Sequence, residues 1–255
     1  PSELRDPKGF AAKVPFRRYP VFEGGGLVWV WLGTSAPAER PNTPFCLLPQ
    51  DHCWVTRTIT PCNWLQGVEG TLDSIHVGTL HKYWISKLAA QSTSKTIGLS
   101  INATPRYEAE ETPYGLSAAA LRDLQDGRTY ARITEYIAPF VSLVPAQGAE
   151  IADFFISVPM DDRNHMLFFG FYNVNRPITE QECLDLIGNE EAAPDFDNFA
   201  NLSAPAEQYW GQDRAAMDRG HFTGFTRNLI IEDAVVQASM GAVRDRTKDF
   251  LSATD

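Results

Sequence analysis

The chain has 255 residues, 44% of them hydrophobic and 21% charged, with a formal net charge of −10. That length can bury a sizeable core as one large domain or two small ones. The acidic balance argues against a nucleic-acid partner, which calls for a basic face, and no run of about 18 apolar residues is present to span a membrane.

Residues 15–33, PFRRYPVFEGGGLVWVWLG, read as two strands around a turn, with Gly24, Gly25 and Gly26 supplying the permissive backbone. Residues 34–50 are proline-rich and polar, which marks a linker or boundary. Cys46, His52 and Cys53 lie close together there, but their spacing fits no standard zinc pattern. Packing thiols are the better reading. Cys62 and Cys183 complete the cysteines, with no CxxC pair, so reduced thiols and a cytoplasmic location are expected. WVTRTITP, residues 54–61, alternates as a strand should. Residues 62–84 turn helical, and the polar run at 85–97 is expected to be mobile.

Strand candidates follow at residues 99–112, 129–145, 149–160 and 165–174. Turn signals at Asp126-Gly127 and Asp161-Asp162 suggest an antiparallel sheet. Residues 177–220 are acidic and irregular, with helical pieces in EQECLDLIG and PAEQYWGQDRAAM. IEDAVVQASMGAVRDRTKDFL is helical by period, with Gly241 interrupting it. The order β module, helix, sheet, helices predicts an α+β fold. The chain begins with Pro1 rather than Met and ends at LSATD inside a helical pattern, and no signal peptide is visible in these residues; they are expected to be a piece of a longer protein.

The chemistry concentrates in GVEGTLDSIHVGTLH, residues 67–81, which holds Glu69, Asp73, His76 and His81. On one continuous helix at about 100° per residue these four fall within an arc of roughly 140° around Asp73. Val77 and Leu80 share that face, so it points inward. Buried imidazoles and carboxylates are costly unless they pair or bind a metal. The His-x4-His step is wider than an i, i+4 pair, so the helix must loosen between the rings, and Gly78 is placed to permit it. Pattern alone leaves hydrogen-bonded core histidines and a metal site about even, and zinc and iron level. Of the other histidines, His165 opens a strand and reads as structural, and His221, just ahead of the Asp233 segment, could reach the pocket but is not counted among the site residues.

CNWLQGVEGTLDSIHVGTLH, residues 62–81, resembles the iron-binding segment of Rieske-type non-haem iron aromatic-ring-hydroxylating oxygenases, terminal component, in the phthalate and phenoxybenzoate dioxygenase-like branch. RRYPVFEGGGLVWVWLG resembles the end of that family's Rieske domain, VPMDDRNHMLFFGFYN a pair of its catalytic strands, and EDAVVQASMGAVRDRT the segment with its third ligand. The resemblance implies a helix-grip-like catalytic domain over residues 41–255, preceded at 1–40 by a remnant of the [2Fe–2S] domain. It makes His76, His81 and Asp233 ligands of a mononuclear Fe(II), with Glu232 the alternative third ligand if the alignment slips by one. Without it, Asp233 reads as a helix N-terminal residue favoured by the dipole. It makes Asp73 the bridge that carries electrons from a neighbouring subunit's Rieske centre, and Asn63 and Glu69 candidates for the surrounding hydrogen-bond network.

The C-x-H and C-x2-H pairs that hold a Rieske cluster are absent from these residues. The cluster is expected in the intact protein only. The implied activity is O2-dependent hydroxylation of an aromatic compound, most simply an aromatic acid, by cis-dihydroxylation or by monooxygenation with loss of an O-linked group. Electrons come from NAD(P)H through a reductase or ferredoxin, and the subunits form a homotrimer or stacked trimers. Arg106, Arg163 and Arg227 are candidates for the basic anchor of an acid. The alternatives are a metal-dependent hydrolase with Glu69 as base and a non-catalytic ligand-binding module.

Overall fold

The computed structural model describes residues 5, 7–37, 39–40, 42–91, 104–124, 126–145, 150–189 and 195–252. After a short helix α1 (Pro7–Lys13), strands β1 (Val21–Gly24) and β2 (Leu27–Val30) form a hairpin. Gly25 and Gly26 turn it with φ of 66° and 74°, a region open to glycine at no steric cost. The proline-rich stretch that follows is more than a linker. It holds helix α2 (Pro44–Leu47), whose Phe45 is fully buried and stacks on Phe154 with ring centroids 4.0 Å apart.

The main sheet has seven antiparallel strands in the order β3-β9-β8-β7-β6-β5-β4. Strands β4 (Arg106–Thr112), β5 (Gly115–Asp123), β6 (Thr129–Ile137), β7 (Val141–Val144), β8 (Ala152–Pro159) and β9 (His165–Tyr172) run as a meander. Strand β3 (Cys53–Thr60) returns to the far edge beside β9. The expected 129–145 strand is therefore two strands, reversed through Pro139. β5 was not among the pattern-based candidates because Ala118, Ala119 and Ala120 have weak strand preference. Pairing with β4 and β6 on both sides overrides that preference.

Both faces of the sheet are covered. Phe154, Ile156 and Tyr172 pack under the hairpin and Phe45. Leu167, Phe169 and Phe171 face the other way, onto Ile230, Ile231, Cys183 and Ile187 of the helical layer. That layer contains α3 (Trp64–Leu72), α4 (Ile75–Thr79), α5 (Lys82–Gln91), α6 (Glu180–Leu186), α7 (Arg214–Asp218) and α8 (Leu229–Ser239). The helix expected over residues 231–251 ends at Ser239, with Gly241 at φ 93° closing it. Beyond it, among the described residues, stands only a short 3-10 turn, Arg246–Lys248. The remainder of the expected mobile run at 85–97, past Gln91, lies outside the described residues. The observed class is the expected α+β. Among the described residues, no helix is long and apolar enough to cross a membrane.

Candidate metal centre

Residues 62–84 do not form one helix. Asn63 caps α3 by accepting the Leu65 N–H at 3.1 Å, and the helix stops at Asp73, whose backbone is extended at φ −72°, ψ 117°. One cause is local and the others come from the sheet. The Asp73 carboxylate accepts the Ile75 N–H at 2.7 Å, competing with the helical ladder. The Ser74 N–H goes instead to Tyr107 Oη at 2.6 Å, and the buried Arg122 guanidinium donates to the Ser74 carbonyl at 2.7 Å. Side chains from the sheet thus satisfy the broken backbone. A second loosening falls at Leu80 and His81, between α4 and α5, and not at Gly78.

These interruptions let the two rings converge. His76 and His81 stand 5.0 Å apart, nearly edge-on at 78°. Asp233, on the second turn of α8, reaches both: its Oδ1 lies 3.4 Å from His76 Nε2 and 3.0 Å from His81 Nε2. The three donor atoms lie within 4.8 Å of one another. Donors about 2.1 Å from one cation at right angles stand roughly 3 Å apart, which the two Asp233 Oδ1 separations of 3.4 and 3.0 Å match, so these residues suit a divalent ion.

Each imidazole has a second carboxylate on its other nitrogen. His81 Nδ1 donates to Glu232 Oε2 at 2.7 Å, and the other Glu232 oxygen accepts the Thr223 hydroxyl. His76 Nδ1 lies 3.5 Å from Asp73 Oδ2. A proton kept on Nδ1 leaves the Nε2 lone pair for a cation. Burial opposes charge on His81, yet Asp233 and Glu232 together push its pKa up to about 9. Burial likewise raises Asp233, but His81 and His76 outweigh it and hold the carboxyl below its usual range. Asp73 is also lowered, chiefly by His76 against its partial burial. Its side chain is 46% exposed and so opens the cluster to the surface.

Glu232 thus supports His81 and does not occupy the third donor position. Asn63 and Glu69 lie apart from the cluster. Asn63 also donates to the Asp162 carbonyl at 2.9 Å, and Glu69 is held by Arg246 at 2.6 Å. His165 is buried, with Nδ1 donating to the Cys62 carbonyl at 2.9 Å. His221 packs on Tyr83 at 4.2 Å and does not line the cavity beside the cluster. His52 Nδ1 donates to the Asn173 carbonyl, and Cys53 Sγ to that of Phe45. Burial pushes the Cys53 thiol up to about 11, which suits packing thiols and not metal ligands.

The cluster opens on a cavity of about 150 Å³ walled by Phe155, Phe169 and Phe171. A cavity of about that size holds one benzene ring. Arg106, Arg163 and Arg227 do not line it; Arg132 and Asp153 do. Strand phase was the available signal for those two, since Tyr130, Arg132 and Thr134 alternate onto one face of β6.

Residues 30–255 match the LigXa C-terminal domain like family. The chain is 32% identical to the phthalate 4,5-dioxygenase oxygenase subunit of Pseudomonas putida, over 95% of this chain and 57% of that protein. It is 27% identical to the 3-chlorobenzoate-3,4-dioxygenase oxygenase subunit of Comamonas testosteroni, over 99% and 61%. It is 30% identical to the 5,5'-dehydrodivanillate O-demethylase oxygenase subunit of a Sphingobium species, over 99% and 52%. The chain therefore spans somewhat more than half the length of these relatives. An oxygenase–ferredoxin complex of carbazole 1,9a-dioxygenase shares the fold at 17% identity, with a TM-score of 0.51, over 95% of this chain and 62% of that one. The chain belongs to the LigXa C-terminal domain like family.

Proposed function

We propose that this chain is the oxygen-activating part of a terminal oxygenase that hydroxylates an aromatic acid with O2. The carrying observation is the convergence of His76, His81 and Asp233 on one wall of an aromatic-lined cavity. Two imidazoles and one carboxylate, from His76, His81 and Asp233, are a donor set that would suit ferrous iron. Bound there, iron would supply the one-electron chemistry with O2 that organic side chains lack. Phthalate and 3-chlorobenzoate, in the relatives' names, are both aromatic acids, which supports the substrate class.

The protein's own residues do the rest. Glu232 orients His81, and Thr223 holds Glu232. Phe155, Phe169 and Phe171 exclude water and seat a ring. Asp73, half-exposed and within reach of His76, is the entry point for electrons from a Rieske centre. That centre is supplied by a neighbouring subunit of a cytoplasmic trimer, with NAD(P)H as the source through a reductase or ferredoxin. In this reading residues 1–40 end the Rieske domain and 41–255 form the catalytic domain.

In the full-length protein, Asp73→Ala is expected to retain its iron by metal analysis and to lose turnover; normal turnover would sink the bridging role. Reconstitution with Fe(II) is expected to restore activity and Zn(II) not to. Activity with zinc would favour a hydrolase instead, although Glu69, its candidate base, is turned to Arg246.

A further inference from the structure

Two further charged side chains line the cavity beside the metal cluster. Arg132 stands on β6 and Asp153 on β8, separated by β7, whose Val144 pairs with Asp153. Arg132 is 5% exposed, and its Nη1 has no hydrogen-bond partner among the described residues. No hydrogen bond to the Asp153 carboxyl is found there either. A buried guanidinium N–H left unmade is costly, so this arrangement calls for an acceptor from outside the protein.

We propose that Arg132 and Asp153 form an acid-recognition subsite, in which a substrate carboxylate docks on Arg132 while Asp153 takes up one proton from solvent. Charge balance is the reason. With Asp153 ionised, the pair is neutral, and a carboxylate entering would leave one net negative charge in an apolar cavity. With Asp153 protonated, Arg132 and the substrate carboxylate neutralise each other, and the Asp153 hydroxyl becomes a second donor to the substrate.

The surroundings allow this. Burial pushes the Asp153 carboxyl up to about 7, with the Arg132 guanidinium pulling the other way. Tyr172 of β9 and Cys183 of α6, the other titratable groups that feel Asp153, have raised pKa values and stay neutral at that pH. β7 offers no titratable side chain. Asp233, which lines the same cavity, is already paired with the two histidines.

The proposal rests on the oxygenase reading only for the aromatic character of the substrate. Its test is therefore calorimetric binding of benzoate and of its neutral isostere benzamide to the full-length protein between pH 6 and 9. Benzoate affinity is expected to fall by about tenfold per pH unit above the Asp153 titration, with one proton taken up on binding. Benzamide affinity is expected to stay flat. Asp153→Asn should remove the pH dependence of benzoate binding. Arg132→Gln should weaken benzoate by roughly 10- to 100-fold and spare benzamide, which also shows that the variant is folded. Benzoate binding that is absent, independent of pH in the unsubstituted protein, or unchanged in Arg132→Gln would overturn the subsite. Iron content measured on the same samples keeps the two readings separate, since proton-coupled benzoate binding without iron would sink the oxygenase and leave the subsite standing.

Discussion

Glu232 and Asp233 are neighbours in sequence with different placements. Successive residues on a helix point about 100° apart, so only one of them can face the cavity. Asp233 does, and Glu232 sits wholly buried behind His81. Glu232→Gln keeps the shape and the Thr223 contact but removes the carboxylate that receives the His81 Nδ1–H. Fe(II) affinity is expected to fall by roughly 10- to 100-fold, the usual loss for such an orienting group, as measured by competition with a chromophoric chelator. Unchanged affinity would mean that His81 is oriented by packing alone. The His-x4-His pair was legible in the residues, whereas the distant IEDAVV segment was tied to it only by the family resemblance. The partner of each imidazole Nδ1 was less so, because hydrogen-bond direction is set by where α8 docks.

At the scale of elements, α3 is the part that places the cluster. Its Gln66 donates to the carbonyls of Gln237 and Gly241 at 2.9 and 3.0 Å, tying it to α8. Its Gly67 lies flat on the sheet: a Cβ there would stand 2.8 Å from both His165 Nε2 and Ser157 Oγ. Gly67→Ala is expected to lift the helix and cost about 1–3 kcal/mol, the range for overpacking, read as a lower midpoint in chemical denaturation. A midpoint equal to that of the unsubstituted protein would show that α3 does not need this close approach. Helical periodicity pointed to this segment but ran it through Asp73 as one rod. The break depends on Tyr107 and Arg122, from strands β4 and β5, and no window confined to residues 62–84 contains them. The same limit hid β5, whose alanines join a sheet only because strands pair on both sides.

Across the whole molecule, Phe45 joins the N-terminal hairpin to the sheet. It stacks on Phe154 at 4.0 Å and touches Trp29 and Tyr172 at 6.3 and 6.1 Å. Phe45→Ala is expected to cost about 3–5 kcal/mol, as for a buried phenylalanine, and to expose residues 15–33 to limited proteolysis before the sheet is cut. Simultaneous cleavage of hairpin and sheet would show that they unfold as one unit.

Composition, alternation and turn residues determined the α+β class, most of the strands and the segment that carries His76 and His81. These are local properties, decided by side-chain type and spacing. Only the tertiary structure decided that the 62–84 helix breaks twice, that Glu232 backs His81 while Asp233 faces the cavity, and that Arg132 and Asp153 line that same cavity. Those outcomes depend on which strand lies beside which, and on the energy of leaving a buried donor or charge unmatched. Neither is a property of any short stretch of the chain.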